Sequence, residues 1–414
     1  MKNNAAIISV GNELLNGNTI DTNSNWLQLR LLTASAQVVY SCCVTDDISE
    51  IRTAIKYASQ KAGIILITGG LGPTDDDITR NAIAEFLNVP LVYHHEIEEK
   101  MQKFFARINR PMVEKNKIQA YLPAGTEVID NPLGTAPGIF YSDNDKIIAS
   151  MPGVPSEMKR MFDENILQKI ENFAKKSQLF IKKLKLIGAG ESNIAEKIGN
   201  MMERGRNPLI NCTVNCGIIT LHIIATAENQ AAAEKLVTDD TARLSALLGD
   251  LIYSFDGESL AEVVGKKLLH CKKTIALAES CTGGLIAKQI TDIPGSSGYF
   301  KCGWITYSNE AKISQLGVKK EVIEQFGAVS AEVAEAMAKA AREKSGADFA
   351  LAVTGIAGPA GGTEQKPIGL VYIAIASEKD IQTEKFLFGP RDRDFIRQRT
   401  YQNALNLLRL KLGI

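Results

Sequence analysis

Apolar residues recur along the chain in two rhythms, and their alternation sets out the elements. Near-continuous apolar runs such as AAIISVG (5–11), QVVYSCCV (37–44) and GIILITGG (63–70) read as short strands. Between them, NSNWLQLRLLTAS (23–35) brings Trp26, Leu29 and Leu32 onto one helical face, and DDISEIRTAIKYASQ (46–60) is a helix opened by an acidic cap. Strand, helix, strand, helix in this order predicts a largely parallel sheet with helices on both faces. In such a sheet, ligands bind beyond the carboxyl ends of the strands.

The pattern changes near residue 170. LFIKKLKLIG and ITLHIIATA read as strands, and ESNIAEKIGNMMER and NQAAAEKLVTDDTARLSALLG as helices. This small α+β segment has no phosphate-type glycine loop and reads as a spacer or dimerisation element. From about 255 the α/β alternation resumes. The helix SLAEVVGKKLLHC leads into the strand TIALAES, followed by YFKCGWITYS, the helix AEVAEAMAKAAREKS, the strands DFALAVTG and IGLVYIAIAS, and a long closing helix from Arg393. The predicted architecture is therefore two α/β sandwich domains, 1–168 and 253–414, joined by a small α+β domain at 169–252.

Composition narrows the function. Lys+Arg and Asp+Glu both number 47, and this zero formal charge argues against a broad nucleic-acid surface. Seven scattered cysteines fit a reduced, cytoplasmic chain better than a disulfide framework. No stretch reaches the roughly 18 apolar residues of a membrane span, and the N-terminus lacks the pattern of a secretory signal. The four histidines have no catalytic neighbour in sequence, which disfavours a His-based triad.

Two strand ends carry candidate chemistry. TGGLGPTDDDIT (68–79) joins a strand to a helix, and the small residues Gly69, Gly70 and Gly72 allow a ligand close to the backbone. Asp75, Asp76 and Asp77 would repel a bare phosphate, a conflict that a bridging divalent cation resolves; the alternative is that they cap the following helix. Asn12, Glu13, the loop NPLGTAPG (131–138) and Glu157 face the same sheet edge. In the second α/β domain, the stretch AESCTGG (278–284) turns from strand to helix with Ser280 and Cys281 adjacent. The turn brings the N–H groups of Thr282, Gly283 and Gly284 beside the exposed side chain, as an oxyanion hole requires. A serine needs a base, and Lys312, 32 positions downstream, fills that role if burial lowers its pKa. Tyr307 and Thr354 end neighbouring strands.

These motifs, in this order, resemble the CinA family over essentially the whole length. GNELLNG, DTN, TGGLGPTDDDIT, NPLGTAPG and PGVPSEM match its molybdopterin-binding-like N-terminal domain. AESCTGG, TYSNEAK, TGIAGPAGGTEQKPIG and the closing DRD-x-x-R match its C-terminal nicotinamide mononucleotide (NMN) deamidase domain, which is PncC-like. The resemblance implies a KH-like middle domain, a homodimer, and two activities of pyridine-nucleotide salvage. In the deamidase it makes Ser280 the nucleophile and Lys312 the base, with Tyr307 and Thr354 supporting them. Cys281, Thr282, Gly283, Gly284 and Gly355 would line the pocket, either Arg391 or Arg393 would bind substrate, and no cofactor is needed. For the N-terminal domain it implies ADP-ribose hydrolysis with a divalent metal, Mg²⁺ or a transition metal, on Asp76, Asp77 and Glu157. Asn12, Glu13, Asn23, Gly69, Gly70, Gly72, Thr74, Asn131 and Gly134 would complete that site. Molybdopterin is the rival ligand. The alternatives are a deamidase with a degenerate or molybdopterin-type N-terminal domain, and a non-enzymatic competence protein. No GxxG clamp marks the middle domain, so no direct nucleic-acid binding is expected.

Overall fold

A computed structural model describes residues 3–34, 36–174 and 178–414. Ser35, read as the last residue of the Asn23–Ser35 helix, lies outside the described residues. The chain packs into two compact units, one made of 1–179 with 226–233 and the other of 180–225 with 234–414.

The first unit is built on strands β1 (Asn4–Val10), β2 (Gln37–Val44), β3 (Ile64–Thr68), β4 (Leu91–Tyr93), β5 (Tyr121–Pro123), β6 (Glu127–Ile129), β7 (Gly138–Ser142) and β8 (Ile147–Met151). The main sheet runs β2-β1-β3-β8-β7-β6, while β4 and β5 form a separate pair. From β2 to β8 the pairing is parallel, and β7 and β6 add antiparallel strands at one edge. Side chains of β1 alternate between two cores. Ala6, Ile8 and Val10 pack on one face, and Ala5 and Ile7 on the other, as the two-residue strand period requires. Both faces are thus buried, which explains why the strand reads as an unbroken apolar run.

In the second unit, β9 (Gln178–Leu186), β10 (Leu209–Asn215), β11 (Ile218–Ala227) and β12 (Ile252–Ser254) make a sheet of order β10-β11-β9-β12. The remaining strands are β13 (Ile275–Glu279), β14 (Phe300–Ile305), β15 (Phe349–Gly355), β16 (Leu370–Ala376) and β17 (Ile381–Leu387), in the order β14-β13-β15-β16-β17. The first three are mutually parallel, whereas β16 and β17 are antiparallel. The chain leaves β13 for β14 on one side and then returns to β15 on the other. The carboxyl end of β13 is therefore a switch point of the kind where ligands bind in open α/β sheets.

The mixed α/β class stands, with a KH-like domain between two larger ones. The antiparallel edges were not resolved by the sequence reading. β17, IQTEKFL, is mostly exposed and lacks the apolar run that marks the buried strands.

Candidate functional site

The β13 residues alternate across the sheet, and that alternation builds the C-terminal site. Ile275 and Leu277 face a core that includes the helices Leu260–His270, Leu285–Thr291 and Arg393–Lys411, while Ala276 and Ala278 face the helix Ala331–Ser345. Glu279 continues the first set. Its buried carboxylate accepts hydrogen bonds from the N–H groups of Gly284 (3.0 Å), Ile286 (3.1 Å) and Ala287 (2.8 Å), closing the N-terminus of the helix Leu285–Thr291.

Ser280 comes next. Its Oγ lies 3.0 Å from Lys312 Nζ, and that nitrogen also donates to the carbonyl of Thr306 at 2.9 Å. Lys312 opens a π-helical turn, Lys312–Leu316, and is only 1% exposed. Burial without a carboxylate pushes its pKa down from the ordinary lysine value. In the neutral amine one N–H stays on Thr306 O and the lone pair faces the Ser280 hydroxyl. The neighbouring Cys281 thiol is buried, and burial pushes its pKa up to about 12. It is a thiol rather than a thiolate at neutral pH, so Ser280 is the side chain poised to react. Cys281→Ala is accordingly expected to change turnover at this site by no more than a few-fold. Retained turnover after iodoacetamide treatment of the native chain is the second readout.

The turn differs from the expectation for its amides. The Gly283 N–H donates to Ser280 O at 3.1 Å, and that of Gly284 is held by Glu279. Neither is available to an oxyanion. This corrects the sequence reading for the two glycines and leaves, of the three amides expected there, that of Thr282. Gly283 (φ 58°) and Gly284 (φ 92°) instead supply the left-handed conformations that bend the chain from strand into helix. Arg397 fixes the same turn from outside. Its Nε and Nη2 donate to Thr282 O at 3.1 and 2.7 Å. Arg397 closes the DRD-x-x-R motif but is not among the expected site residues; its place one helical turn beyond Arg393 is the signal that could have found it.

The remaining expected residues separate. Arg393 donates through Nη1 to Gly358 O at 2.8 Å and through Nη2 to the Tyr307 hydroxyl, and its charge acts on the Cys281 thiol next to Ser280. Arg391 lies against Phe395 and faces a different cavity, beside Gly188 and Arg399. Arg393 is therefore the arginine on the Ser280 side. Thr354 is buried at the end of β15, but its hydroxyl donates to Ala328 O at 2.7 Å and so ties two loops together. Gly355 follows it, packed closely against Val371 and Leu370, where a side chain would not fit.

At the N-terminal site, Gly11, Gly69, Gly70, Gly72, Gly153 and the carboxylates of Glu13, Asp46, Asp76, Asp77 and Glu157 surround a cavity of about 380 Å³. Among the described residues, no lysine, arginine or histidine lines it. Gly69 has φ 104°, and a Cβ there would run into Val10 O. Asp77 does not cap the next helix. Its carboxylate accepts from Thr74 N (2.8 Å) and Thr74 Oγ1 (2.5 Å), folding the loop back on itself. Hydrogen bonding at Thr74, together with its own backbone amide and the charge of Lys115, lowers the Asp76 pKa. Asp75 pairs with Lys115 outside the cavity. Asn131 ties Glu157 (2.7 Å) to Ala136 O, and its Oδ1 accepts from the Gly134 amide.

Five expected residues, Asn12, Asn23, Thr74, Asn131 and Gly134, lie off the cavity wall. The Asn12 amide donates to Asp46, and Asn23 is buried, bonded to Thr68 Oγ1 and Gly153 O. Asn23 thus joins the loops rather than lining the cavity. Asp46 and Arg80 were not foreseen. Asp46 hid in the doublet Asp46-Asp47, of which only Asp47 is the helix cap. Arg80 is buried and donates to Leu71 O and Gly72 O, holding the glycine loop from below. Among the described residues, no three His, Cys, Asp or Glu side chains converge closely enough to hold a metal unaided. The all-oxygen donor set around the cavity nevertheless fits a hard cation that takes one or two carboxylates and completes its shell with phosphate oxygens.

Residues 257–412 match the family model described as the CinA C-terminal domain. Residues 181–254 match the damage-inducible protein CinA KH domain, and 6–172 the probable molybdopterin binding domain. A competence-damage inducible protein of Caldicellulosiruptor saccharolyticus is 40% identical over 405 residues, covering 98% of each chain. The chain belongs to the CinA family. A relative of the same description from Halothermothrix orenii is 43% identical over 407 residues, 98% of this CinA chain and 97% of its own. Among solved structures, the competence/damage inducible protein CihA of Agrobacterium tumefaciens is 40% identical, with a TM-score of 0.36. It covers 38% of this chain and 98% of its own. Among the described residues of this CinA protein, no helix is long and apolar enough to cross a membrane.

Proposed function

We propose that the C-terminal domain hydrolyses the carboxamide of NMN, giving nicotinate mononucleotide and ammonia. The observation that carries this reading is the buried contact of 3.0 Å between Ser280 Oγ and a lysine with a lowered pKa. Neutral Lys312 takes the hydroxyl proton while Ser280 Oγ bonds to the amide carbon. The amide of Thr282 meets the oxyanion. As the C–N bond breaks, the proton on Lys312 passes to the leaving nitrogen and ammonia departs. Water, deprotonated in turn by Lys312, cleaves the acyl-serine, and the proton returns to Ser280. Arg393, with Tyr307, meets the phosphate of the nucleotide.

For the N-terminal domain we infer metal-dependent hydrolysis of ADP-ribose to AMP and ribose 5-phosphate. Asp76, Asp77, Glu157 and Glu13 are the residues that would hold the cation, which would supply charge neutralisation for the pyrophosphate. Gly69, Gly70 and Gly72 let the phosphates approach the backbone, and Arg80 keeps that loop in place. The lack of a converged three-residue metal cluster among the described residues favours one alternative, a domain that binds a molybdopterin-type ligand without cleaving it. A homodimer and a cytoplasmic location belong to the same reading and rest on the family likeness.

One experiment tests both halves. NMN and ADP-ribose are offered separately, with Mg²⁺ and after chelation. The expected result is ammonia from NMN under both conditions and AMP from ADP-ribose only with metal. Loss of ammonia release on chelation would refute the metal-free deamidase, and absence of AMP with any divalent metal would refute the pyrophosphatase.

A further inference from the structure

Beside the acidic cavity of the first unit lies a second one, also about 380 Å³, of opposite charge. One wall is the helix His95–Arg107. Ile97, Lys100, Met101, Phe104 and Arg107 stand at i, i+3, i+4, i+7 and i+10, so they share a face. Ile97 and Met101 are buried and form an apolar floor, while Phe104 is half-buried above them. Lys100, Lys103 and Arg107 line the cavity together with a single acid, Asp130, which pairs with Lys100 at 2.9 Å. Among the described residues, neither Lys103 nor Arg107 has a carboxylate partner.

The opposite wall is the loop between Asp130 and Gly138, and it divides the two cavities. Thr135 lines both of them. Asn131 lines the basic groove while its side chain bonds to Glu157 in the acidic cavity. A ligand crossing Thr135 would therefore meet five carboxylates at one end and two unpaired cations beside an aromatic ring at the other.

We propose that this groove is a subsite for the nucleoside end of a pyrophosphate-bridged nucleotide, and that it selects one carrying a further phosphate on that nucleoside. The proposal rests on the pyrophosphatase reading above. If the cation and the acidic cavity hold the bridging phosphates, those phosphates leave nothing to neutralise Lys103 and Arg107. The two cations lie four positions apart on one helix, a like-charge pair that destabilises a helix until an anion sits between them. The Arg107 guanidinium lies 5.2 Å from the Phe104 ring centroid, which orients its donors at the groove edge. The cavity volume and apolar floor are those of a small-molecule site.

The test is equilibrium binding to the full-length protein in Mg²⁺, with AMP and adenosine 2′,5′- and 3′,5′-bisphosphate as probes. None of these contains a pyrophosphate bond, so the readout does not depend on turnover. At least one bisphosphate is expected to bind about tenfold more tightly than AMP, the size of effect expected from one charge-assisted phosphate contact at a partly exposed site. In Lys103→Gln/Arg107→Gln the ratio should fall to near one, and the single substitutions should give intermediate ratios. Equal affinity for all three nucleotides in the native protein would overturn the subsite while leaving the pyrophosphatase reading intact. Failure of every nucleotide to bind would also overturn the subsite, and AMP release from ADP-ribose, measured in parallel, decides the pyrophosphatase reading separately.

Discussion

Ser280→Ala is expected to reduce ammonia release from NMN to background, and Lys312→Ala to lower it by about 10²–10⁴, the usual worth of a general base. Both follow from one buried contact. In the proposed reaction, removing the serine removes the atom that would form the acyl bond. Removing the lysine leaves a serine hydroxyl with no proton acceptor in reach, since Cys281 is a buried neutral thiol and Thr354 is bonded to Ala328 O. Lys312→Arg is the sharper test, because a guanidinium keeps the charge but stays protonated and cannot act as base. The pH profile carries the same logic. In the proposed reaction Lys312 works as the neutral amine, so turnover should rise with pH through its folded pKa, which burial holds below 10.5. Between that folded value and 10.5 the unfolded chain binds more protons than the folded one, so stability also rises with pH across the window. A rate that is flat in pH, or an active Lys312→Arg variant, would dismiss Lys312 as the base.

Glu279→Ala is expected to be the most destabilising single change near the site. The carboxylate satisfies three backbone N–H groups at the start of one helix, and its removal leaves them without a partner in a largely dry environment. A loss of roughly 2–5 kcal/mol follows from the usual cost of orphaned donors. Urea unfolding followed by circular dichroism measures it. Glu279→Gln should lose less, because one oxygen still accepts. Deamidation by Glu279→Gln at low temperature then distinguishes a fold defect from a chemical one. A stability change within 0.5 kcal/mol for the alanine variant would mean that water replaces the carboxylate.

Much of this was legible in the sequence, for identifiable reasons. The parallel strands were readable because they are buried on both faces and so carry unbroken apolar runs. Ser280 and Lys312 were readable because strand ends in an α/β sheet converge on one edge, whatever their distance in sequence. The hidden parts were those decided by backbone hydrogen bonding. Nothing in CTGG says that Gly283 and Gly284 spend their amides within the turn, because that depends on Glu279 pointing towards the helix. The distinction between Arg391 and Arg393 also escaped the sequence. Arg391 precedes the N-cap Asp392 and lies outside the helix, whereas Arg393 is the first helical residue, and it is Arg393 that reaches Gly358 and Tyr307. Arg80 looked like an ordinary surface residue of its helix because its burial comes from the glycine loop folding over it.

The alternation along β13 has a consequence for how this domain can change. Glu279 and Ser280 are consecutive, and they perform opposite duties on opposite faces of one sheet. Inserting or deleting one residue between Ile275 and Glu279 would keep every residue type but exchange the two faces. The carboxylate would then meet Lys312 and form an inert ion pair, while the serine would face three backbone amides that it cannot all satisfy. The strand therefore tolerates substitution far better than a shift of frame. Its odd-even count, more than the identity of any one apolar residue, is what inheritance must preserve here.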